Sequence, residues 1–259
     1  MTTKELTSEN CAVAIDVDLC LACGSCEFAC SEAHAEGRDF AEALTEGEAP
    51  PSRIRLSLAE GHPVPVQCRH CDDAPCIAVC SPGALCRDSA GRVMYEQEKC
   101  ISCRACERVC PFEAISWDAR EKTIVKCDVC SGLIQDDQQP FCVVACPTGC
   151  LHAVAAEDLH GTEIARSYDS LIRDESRTER AGPDVRFEID SESCICCNRC
   201  ARNCPVDCIS GKAGKQPSKA TDDDREKGKV GEPFVINQQK CIRCGTCLDV
   251  CPAGAVQRL

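Results

Sequence analysis

The sequence predicts an α+β fold of three small modules, each organised around metal clusters and with little conventional core. The first observation is the cysteine content, since 29 of the 259 residues are cysteine. The second is the shortage of large apolar side chains, because aromatic residues make up only 3% of the chain. Metal–ligand bonds are one source of folding free energy for modules with so little to bury. We therefore expect the metal-free chain to be largely unfolded.

Composition also argues against several classes of protein. A secreted disulfide scaffold is usually short and carries a signal peptide, whereas residues 1–10 contain neither an apolar segment nor a twin arginine. We therefore expect a cytoplasmic location, where reduced thiols persist as metal ligands. No run reaches the roughly 18 apolar residues of a membrane-spanning helix, so no direct membrane insertion is expected. The formal net charge of −13 argues against nucleic acid as a partner.

Four cysteine runs have the spacing C-x2-C-x2-C-x3-C, which is typical of bacterial ferredoxins that bind [4Fe-4S] clusters. They cover residues 20–30, 100–110, 194–204 and 241–251. Two further runs are variants, because residues 68–80 have four residues in the middle gap and residues 127–146 have eleven. Proline follows the last cysteine in four of the six runs, and Ser81 stands at that position in the run 68–80. The pattern predicts six cluster-binding loops.

The spacing has a mechanical consequence for ligation. Three cysteines in one tight loop can reach three corners of a cubane while backbone N–H groups point at its sulfurs. The fourth cysteine starts a helical turn and faces away, and in two-cluster ferredoxins it ligates the neighbouring cluster. The runs should therefore work in reciprocal pairs. Cys80 and Cys100 have only 19 residues between them, so the second and third runs should pair. The first and fourth runs should pair around them, and the last two should pair with each other.

This pairing predicts six quartets of cysteine ligands, each for one [4Fe-4S] cluster. Numbered by their leading cysteine along the chain, they are quartet 1 (Cys20, Cys23, Cys26, Cys146), quartet 2 (Cys68, Cys71, Cys76, Cys110), quartet 3 (Cys100, Cys103, Cys106, Cys80), quartet 4 (Cys127, Cys130, Cys142, Cys30), quartet 5 (Cys194, Cys197, Cys200, Cys251) and quartet 6 (Cys241, Cys244, Cys247, Cys204). Every iron would then be fully ligated. We therefore predict no catalytic residue, and we expect electron transfer and not catalysis from this chain alone.

The quartets also predict a domain organisation with ferredoxin-like modules. Each half of a module should contain a short strand, a ligand loop, a helical turn that opens at the last cysteine, and a returning strand. Residues 156–183 are charged and have apolar positions at helical spacing, which predicts a helix and a linker. The predicted parts are a four-cluster domain at 1–155 (outer module from 16–30 and 126–150, inner module 66–118), the helix and linker at 156–183, and a two-cluster domain at 184–259.

Local patterns predict individual elements within these modules. The stretches that predict strands are residues 91–95, 114–117, 186–190 and 233–237. Between Cys204 and Cys241, a stretch rich in glycine, lysine and aspartate predicts a solvated loop inserted into the last module. Contact of this loop with a partner is the alternative.

Several stretches of the first four runs resemble a known family. They are CLACGSC (20–26), CRHCDDAPC (68–76), CRACERVCPFEAI (103–115), KCDVC (126–130) and PFCVVACPTG (140–149). In their order and nested pairing, residues 16–153 resemble the iron-sulfur subunits of molybdopterin oxidoreductases, such as DMSO reductase, formate dehydrogenase and formate hydrogenlyase. Residues 185–259 resemble a two-cluster bacterial ferredoxin fused at the C-terminus.

The resemblance implies a subunit that relays single electrons between a catalytic oxidoreductase subunit and a redox partner. The leading catalytic partner is a molybdenum or tungsten pterin enzyme of the formate or aldehyde type, and a hydrogenase or carbon monoxide dehydrogenase comes next. A soluble ferredoxin or another redox subunit is the candidate at the other end. One alternative is a free polyferredoxin that visits several enzymes. Another is a cluster-based redox or oxygen sensor, against which the acidic charge and the lack of a DNA-binding helix argue.

Zinc is the main rival for any Cys-x2-Cys pair, but the third cysteine at equal spacing and the distant fourth favour iron. Five cysteines stay outside the quartets. Cys150 and Cys208 each lie four residues after a predicted ligand, where Ala114 and Ala255 occur in sister runs, so we expect packing roles. Cys196 is an alternative to Cys197 as a ligand, and Cys11 and Cys86 have no predicted role. His70 lies inside a ligand loop, where it is a weak candidate for tuning a cluster.

Overall fold

Short antiparallel hairpins alternate with short helices along the chain. The computed structural model describes residues 6–35, 39–161, 163–180 and 184–259. Within these residues there are six sheets, each made of two antiparallel strands. The α+β class predicted from the sequence is confirmed.

Twelve strands form the six sheets. In chain order they are β1 (Cys11–Ile15), β2 (Arg55–Ala59), β3 (His62–Val66), β4 (Leu85–Arg87), β5 (Val93–Tyr95), β6 (Ile115–Asp118), β7 (Thr123–Lys126), β8 (Leu151–Ala155), β9 (Phe187–Ile189), β10 (Ile209–Lys212), β11 (Glu232–Ile236) and β12 (Val256–Arg258). All four strands predicted from the sequence are present, as β5, β6, β9 and β11. The pairs are β1–β8, β2–β3, β4–β5, β6–β7, β9–β12 and β10–β11.

Helices are short, and six of them begin inside a cysteine run. The helices are α1 (Ser25–Ala33), α2 (Phe40–Thr45), α3 (Pro75–Ala78), α4 (Ala105–Val109), α5 (Phe141–Val144), α6 (Glu163–Ile172), α7 (Arg199–Arg202), α8 (Asp222–Glu226) and α9 (Thr246–Asp249). In the described part of the chain, none of them has the length and apolar character needed to cross a membrane.

The position of these helical turns corrects the sequence prediction. The turns were expected to open at the last cysteine of a run, but they contain the third cysteine and, except for α1, end before the last one. Cys110 shows why, because it adopts an extended backbone (φ −66°, ψ 114°) directly before Pro111. The residue before proline is sterically excluded from helical backbone, so α4 ends at Val109.

Strand pairing joins runs that lie far apart in the sequence. The β1–β8 sheet and the contact between α1 and α5 bring the run 20–30 beside the run 127–146. The contact between α3 and α4 does the same for the runs 68–80 and 100–110, and the contact between α7 and α9 for the last two runs. The pairs of runs predicted from the sequence are therefore spatial neighbours.

Two groups of buried side chains form the core. The larger group includes Ile15, Ile54 and Val109. Helix α6 packs against it through Tyr168, which is fully buried. The Tyr168 hydroxyl donates a hydrogen bond to the carbonyl oxygen of Pro65 at 2.8 Å. The smaller group, around Phe187 in the C-terminal part, holds β9, β11 and β12 together. Helix α6 thus packs on the N-terminal part of the chain.

The stretch between Cys204 and Cys241 is not the plain solvated loop that its composition predicts. It contains the β10–β11 hairpin and helix α8, although most of its side chains are exposed. Glycines make this possible, because a Cβ atom on Gly231 would lie 2.6 Å from the Cβ of Cys196 and 2.8 Å from the carbonyl oxygen of Lys212. The polar composition of this stretch predicts that it is exposed to solvent, but it does not predict where backbone segments approach each other closely at glycine.

Candidate metal centres

The six cysteine runs share one backbone feature although their sequences differ. In each run, the residue two positions after the first cysteine has a positive φ, between 48° and 58°. These residues are Ala22, His70, Ser102, Val129, Cys196 and Arg243. Left-handed backbone is uncommon outside glycine and is costly for a β-branched residue such as Val129. Strain of this kind persists where the surroundings impose it, and it is found preferentially at functional sites.

The left-handed residue directs a backbone N–H group at a cysteine sulfur. The N–H groups of Ser102, Val129 and Arg243 each donate to the Sγ of the cysteine two residues earlier, at 3.4 Å. Backbone donors of this kind favour the anionic form of the sulfur and build concave anion sites. The loops are therefore shaped to hold negatively charged sulfur.

Three of the predicted quartets each surround a separate cavity. All four cysteines of quartet 4 line one cavity, and the same is true of quartets 5 and 6 at two other cavities. In every case, the fourth cysteine lining the cavity comes from the paired run: Cys30, Cys251 and Cys204. Cys197 lines the cavity of quartet 5, whereas Cys196 does not. The structure thus brings together the cysteines that the reciprocal pairing predicts at these three places.

Quartets 2 and 3 are brought together in the same reciprocal way. Burial raises the pKa of Cys71, and the charges of Cys68, Cys110 and Cys76 raise it further. The thiol of Cys106 behaves alike, because burial and the charges of Cys103, Cys80 and Cys100 raise its pKa to about 12. In each quartet, one of these thiols comes from the paired run: Cys110 in quartet 2 and Cys80 in quartet 3.

Quartet 1 includes a cysteine on the surface. Cys23 is exposed, and its thiol lies within electrostatic reach of Cys146 from the paired run. Burial is the main cause that raises the pKa of Cys26 to about 11, with smaller contributions from Glu27 and Cys20. Cys20, Cys26 and Cys146 all lie within electrostatic reach of the buried Cys150, so the four thiols of this quartet lie in one neighbourhood.

The donor set fits an iron–sulfur cluster. Grouped thiols that raise one another's pKa repel one another as thiolates, so holding four together requires a cationic core. A [4Fe-4S] cluster takes four thiolates, which is what each quartet offers. Across the described residues, no three Cys, His, Asp or Glu side chains lie close enough to share a single metal ion.

Thiols of different quartets also lie within electrostatic reach of one another, and these pairs follow one order. In each case, burial is the main cause of the raised thiol pKa, and a thiol of another quartet adds to it. The pairs are Cys142 with Cys26, Cys127 with Cys68, Cys76 with Cys106, Cys103 with Cys244, and Cys247 with Cys200. They connect the quartets in the order 1–4–2–3–6–5.

Lys126 is a residue of these sites that the sequence analysis missed. Its side chain is buried, and its ammonium group donates to the carbonyl oxygens of Val93 at 2.5 Å and Cys127 at 2.6 Å. Burial alone would raise the pKa of Cys68, but the charges of His70 and Lys126 lower it to about 6. The only sequence signal was a lysine directly before the first cysteine of a run.

His34 is a second residue that the sequence analysis missed. Its Nδ1 lies 3.8 Å from the Sγ of Cys30, while its other ring nitrogen faces Asp128 at 3.7 Å. Asp128 also pairs with Arg53, whose backbone N–H donates to the Cys30 sulfur at 3.3 Å. Cys30 therefore receives polar contacts from both its own helix and the segment that follows it.

Comparison with protein-family models matches two parts of the chain. Residues 60–156 and residues 186–252 each match a family described as a 4Fe-4S dicluster domain. The two matches cover the runs of quartets 2 and 3, the run 127–146, and all of quartets 5 and 6.

Several characterised proteins are similar to the chain over most of their own length. An iron-sulfur protein of Rhodospirillum rubrum is 35% identical over 181 residues, which is 62% of this chain and 94% of that protein. Formate hydrogenlyase subunit 2 of Escherichia coli K12 is 34% identical over 191 residues, covering 61% of this chain and 85% of that subunit. The probable anaerobic dimethyl sulfoxide reductase chain YnfG of Escherichia coli K12 is 31% identical over 159 residues, covering 58% and 78%.

Proposed function

We propose, from the premise that this chain belongs to the family of 4Fe-4S iron-sulfur subunits of molybdopterin oxidoreductases, that it carries six [4Fe-4S] clusters and conducts single electrons along them. The chain is an iron-sulfur protein related to subunits of formate hydrogenlyase and DMSO reductase. When bound, fully thiolate-ligated clusters supply one-electron exchange at potentials set by charge, hydrogen bonds and exposure.

The proposed ligands are the 24 cysteines of quartets 1 to 6. They would form three modules: an outer module from quartets 1 and 4, an inner module from quartets 2 and 3, and a C-terminal module from quartets 5 and 6. In the proposed domain organisation, residues 1–155 hold the first two modules, residues 156–183 form a helix and linker, and residues 184–259 hold the third. The shared loop geometry and the three cysteine-lined cavities support this assignment.

The observation that carries the function is the unbroken succession of neighbouring quartets in the order 1–4–2–3–6–5. Of the 29 cysteines, all within described residues, only Cys23 and Cys197 are exposed. Cys23 belongs to quartet 1 and Cys197 to quartet 5, which are the two ends of that order. We therefore place the entry and exit of electrons at these two ends.

The proposed partner at one end is a catalytic oxidoreductase subunit, with a molybdenum or tungsten pterin enzyme favoured by the relatives and a hydrogenase or carbon monoxide dehydrogenase next. A soluble ferredoxin or another redox subunit is proposed at the other end. The chain itself is proposed to have no catalytic site. A freely diffusing polyferredoxin is the second candidate function, and the exposed cysteine at each end suits it as well.

Metal analysis of the protein, purified natively without oxygen, tests the proposal. We expect about 24 iron atoms per chain from this subunit, together with stoichiometric molybdenum, tungsten or nickel from the bound enzyme. The same iron content with no second metal would favour the free carrier. Much less iron, with zinc in its place, would contradict the cluster assignment.

A further inference from the structure

We propose that the thiols of Cys150 and Cys208 donate hydrogen bonds to neighbouring ligand sulfurs and thereby raise the reduction potentials of the clusters at quartets 1 and 6. Both cysteines lie outside the predicted quartets, so they are positioning residues and not ligands. The inference rests on the proposed function, because it concerns the same cluster sites.

Both residues occupy one recurring position, four residues after the last cysteine of a run. The six residues at this position are His34, Ala84, Ala114, Cys150, Cys208 and Ala255. Three runs therefore have an alanine there, with no side-chain donor, and two have a thiol. The alanines provide an internal comparison for what the thiol adds.

The contact is clearest at Cys208. Its backbone N–H donates to the Sγ of Cys204 at 3.3 Å, and its own Sγ lies 3.4 Å from the same atom. At Ala114, the equivalent backbone N–H donates to Cys110 at 3.4 Å, but no side-chain donor follows. The residue at this position therefore provides two hydrogen-bond donors to Cys204, its backbone N–H and its thiol. At Cys110 it provides only the backbone N–H.

Cys150 occupies the corresponding position in quartet 1. It is 2% exposed, and its thiol lies within electrostatic reach of Cys20 and Cys146. Cys20 and Cys146 are both predicted ligands of quartet 1. A cysteine that binds no metal carries an S–H group, which is a weak hydrogen-bond donor. Its S–H is therefore available as a donor.

A donor at a ligand sulfur acts on the redox equilibrium. Reduction adds one negative charge to a cluster and its ligands, so a hydrogen bond to a ligand sulfur stabilises the reduced form more than the oxidised form. A thiol is a weak donor, and we expect its removal to change the reduction equilibrium about threefold to tenfold, which is about 30 to 59 mV for one electron. Within the proposed order, quartets 1 and 6 would hold electrons more readily than they would with alanine at this position.

The test measures cluster potentials in the complete holo-protein, purified without oxygen. Cys150→Ala and Cys208→Ala are titrated potentiometrically, and each reduced cluster is followed by its electron paramagnetic resonance signal. We expect each variant to keep its full iron content while one cluster shifts to lower potential. Cys208→Ser, which retains a donor, should restore most of the wild-type value.

Two further variants separate a hydrogen bond from a packing effect. Ala255→Cys places a thiol four residues after Cys251 and should raise the potential of the cluster at quartet 5. Cys86→Ala removes a cysteine that contacts Glu96 and no quartet, and it should leave every potential unchanged.

Each cysteine is judged by its own variant. An unchanged potential in the alanine variant would overturn the proposal for that residue, because the thiol would then only fill space. Loss of about four iron atoms per chain would also overturn it, because the cysteine would then be a ligand. Absence of clusters from the wild-type protein would instead contradict the proposed function, so the two failures are distinguishable.

Discussion

Lys126 brings a buried positive charge between two candidate cluster sites. Its charge opposes the rise in the pKa of Cys76 in quartet 2 and of Cys127 in quartet 4, both of which are raised chiefly by burial. The two hydrogen bonds of its ammonium group hold this charge in place. A buried cation stabilises added negative charge nearby, because the protein interior screens charge less than water does.

Replacing Lys126 by methionine removes the charge while keeping a side chain of similar length. We predict that Lys126→Met lowers the potentials of the clusters at quartets 2 and 4, each on the order of 50 to 100 mV. Potentiometric titration of the holo-protein measures the shift. Lys122→Met, at an exposed turn, is the control and should leave all potentials within error. Equal shifts in both variants would contradict a specific role for Lys126.

A second residue-level prediction concerns the ion pair between Arg69 and Asp169. Arg69 is buried, its Nε donates to Asp169 at 3.0 Å, and its guanidinium lies over the ring of Tyr168 at 4.6 Å. Asp169→Asn would leave a buried guanidinium without its anion, and we predict a loss of about 1 to 2 kcal/mol in the free energy of unfolding, allowing for the partial exposure of Asp169. Denaturant unfolding of the holo-protein, followed by the visible absorption of the clusters, measures it.

The control for this pair is Asp73→Asn, which removes an exposed ion pair with Arg173 and should cost well under 1 kcal/mol.

The ion pair between Arg69 and Asp169 also predicts a pH dependence. Burial acts to raise the pKa of Asp169, but the hydrogen bond from His160 and the charge of Arg69 lower it overall. The carboxylate therefore contributes stability above its unfolded pKa of about 3.9, and this is lost as pH falls through the lower folded value. In Asp169→Asn, this contribution should disappear.

At the residue scale, spacing alone predicted which cysteines come together, because a fixed loop geometry determines which thiols can face one site. That these cysteines ligate clusters stays a prediction. The role of Lys126 could not be predicted in this way. It depends on the β6–β7 hairpin, which carries the side chain to the carbonyl oxygen of Val93, 33 residues earlier in the chain.

At the element scale, the β10–β11 hairpin depends on close contact between backbone segments. Gly231 packs against Cys196, and Gly211 lies under the ring of Phe234, where a Cβ atom would approach within 2.8 Å. The hairpin therefore has no room for side chains at these positions. Its packing on Cys196 links the insert to the ligand loop of quartet 5.

We predict that Gly231→Ala destabilises the C-terminal part of the chain by about 1 to 3 kcal/mol, because the new methyl group overlaps the Cys196 side chain and the backbone of residues 212–214. The visible absorption should be lost at lower denaturant concentration, with quartets 5 and 6 affected first. Gly161→Ala is the matched control, since the nearest atom to its Cβ is 3.9 Å away. Equal stability of the two variants would mean that the insert does not support the module.

Elements were predicted best where alternation and turn residues coincide, as in β5, β6, β9 and β11. The helices of the cysteine runs begin earlier than predicted, because the prediction started them at the last cysteine of each run. At α4, a left-handed residue before the helix and the proline after the run determine the limits instead. Arg104, with φ 59°, precedes α4, and Pro111 follows its end. No composition signal predicts left-handed backbone at an arginine.

At the scale of the whole molecule, the contact between quartets 3 and 6 joins the C-terminal part to the rest. Cys244 and Ile242 pack against the larger buried group. Arg108 contacts Asp249 through its Nε at 2.6 Å and donates from Nη1 to the carbonyl oxygen of Cys103 at 2.9 Å. This contact could not be predicted from the sequence, because a linker of about 30 residues leaves the relative placement of its two ends open.

The proposed six-cluster order depends on this junction, so reversing one charge there should interrupt it. We predict that Asp249→Arg weakens the magnetic interaction between the reduced clusters at quartets 3 and 6 and slows electron transfer between them. An ion pair of this exposure is worth about 1 kcal/mol or less, so we expect the ratio of docked to undocked molecules to fall by about fivefold or less. Electron paramagnetic resonance of the fully reduced protein measures the interaction.

The double variant Arg108→Asp/Asp249→Arg restores opposite charges and should recover the coupling, whereas Asp222→Arg, at an exposed position of α8, should leave it intact. Coupling that survives the single reversal unchanged would mean that apolar packing around Ile242 holds the junction. Loss of coupling in the double variant as well would mean that the two sites are not neighbours through this pair.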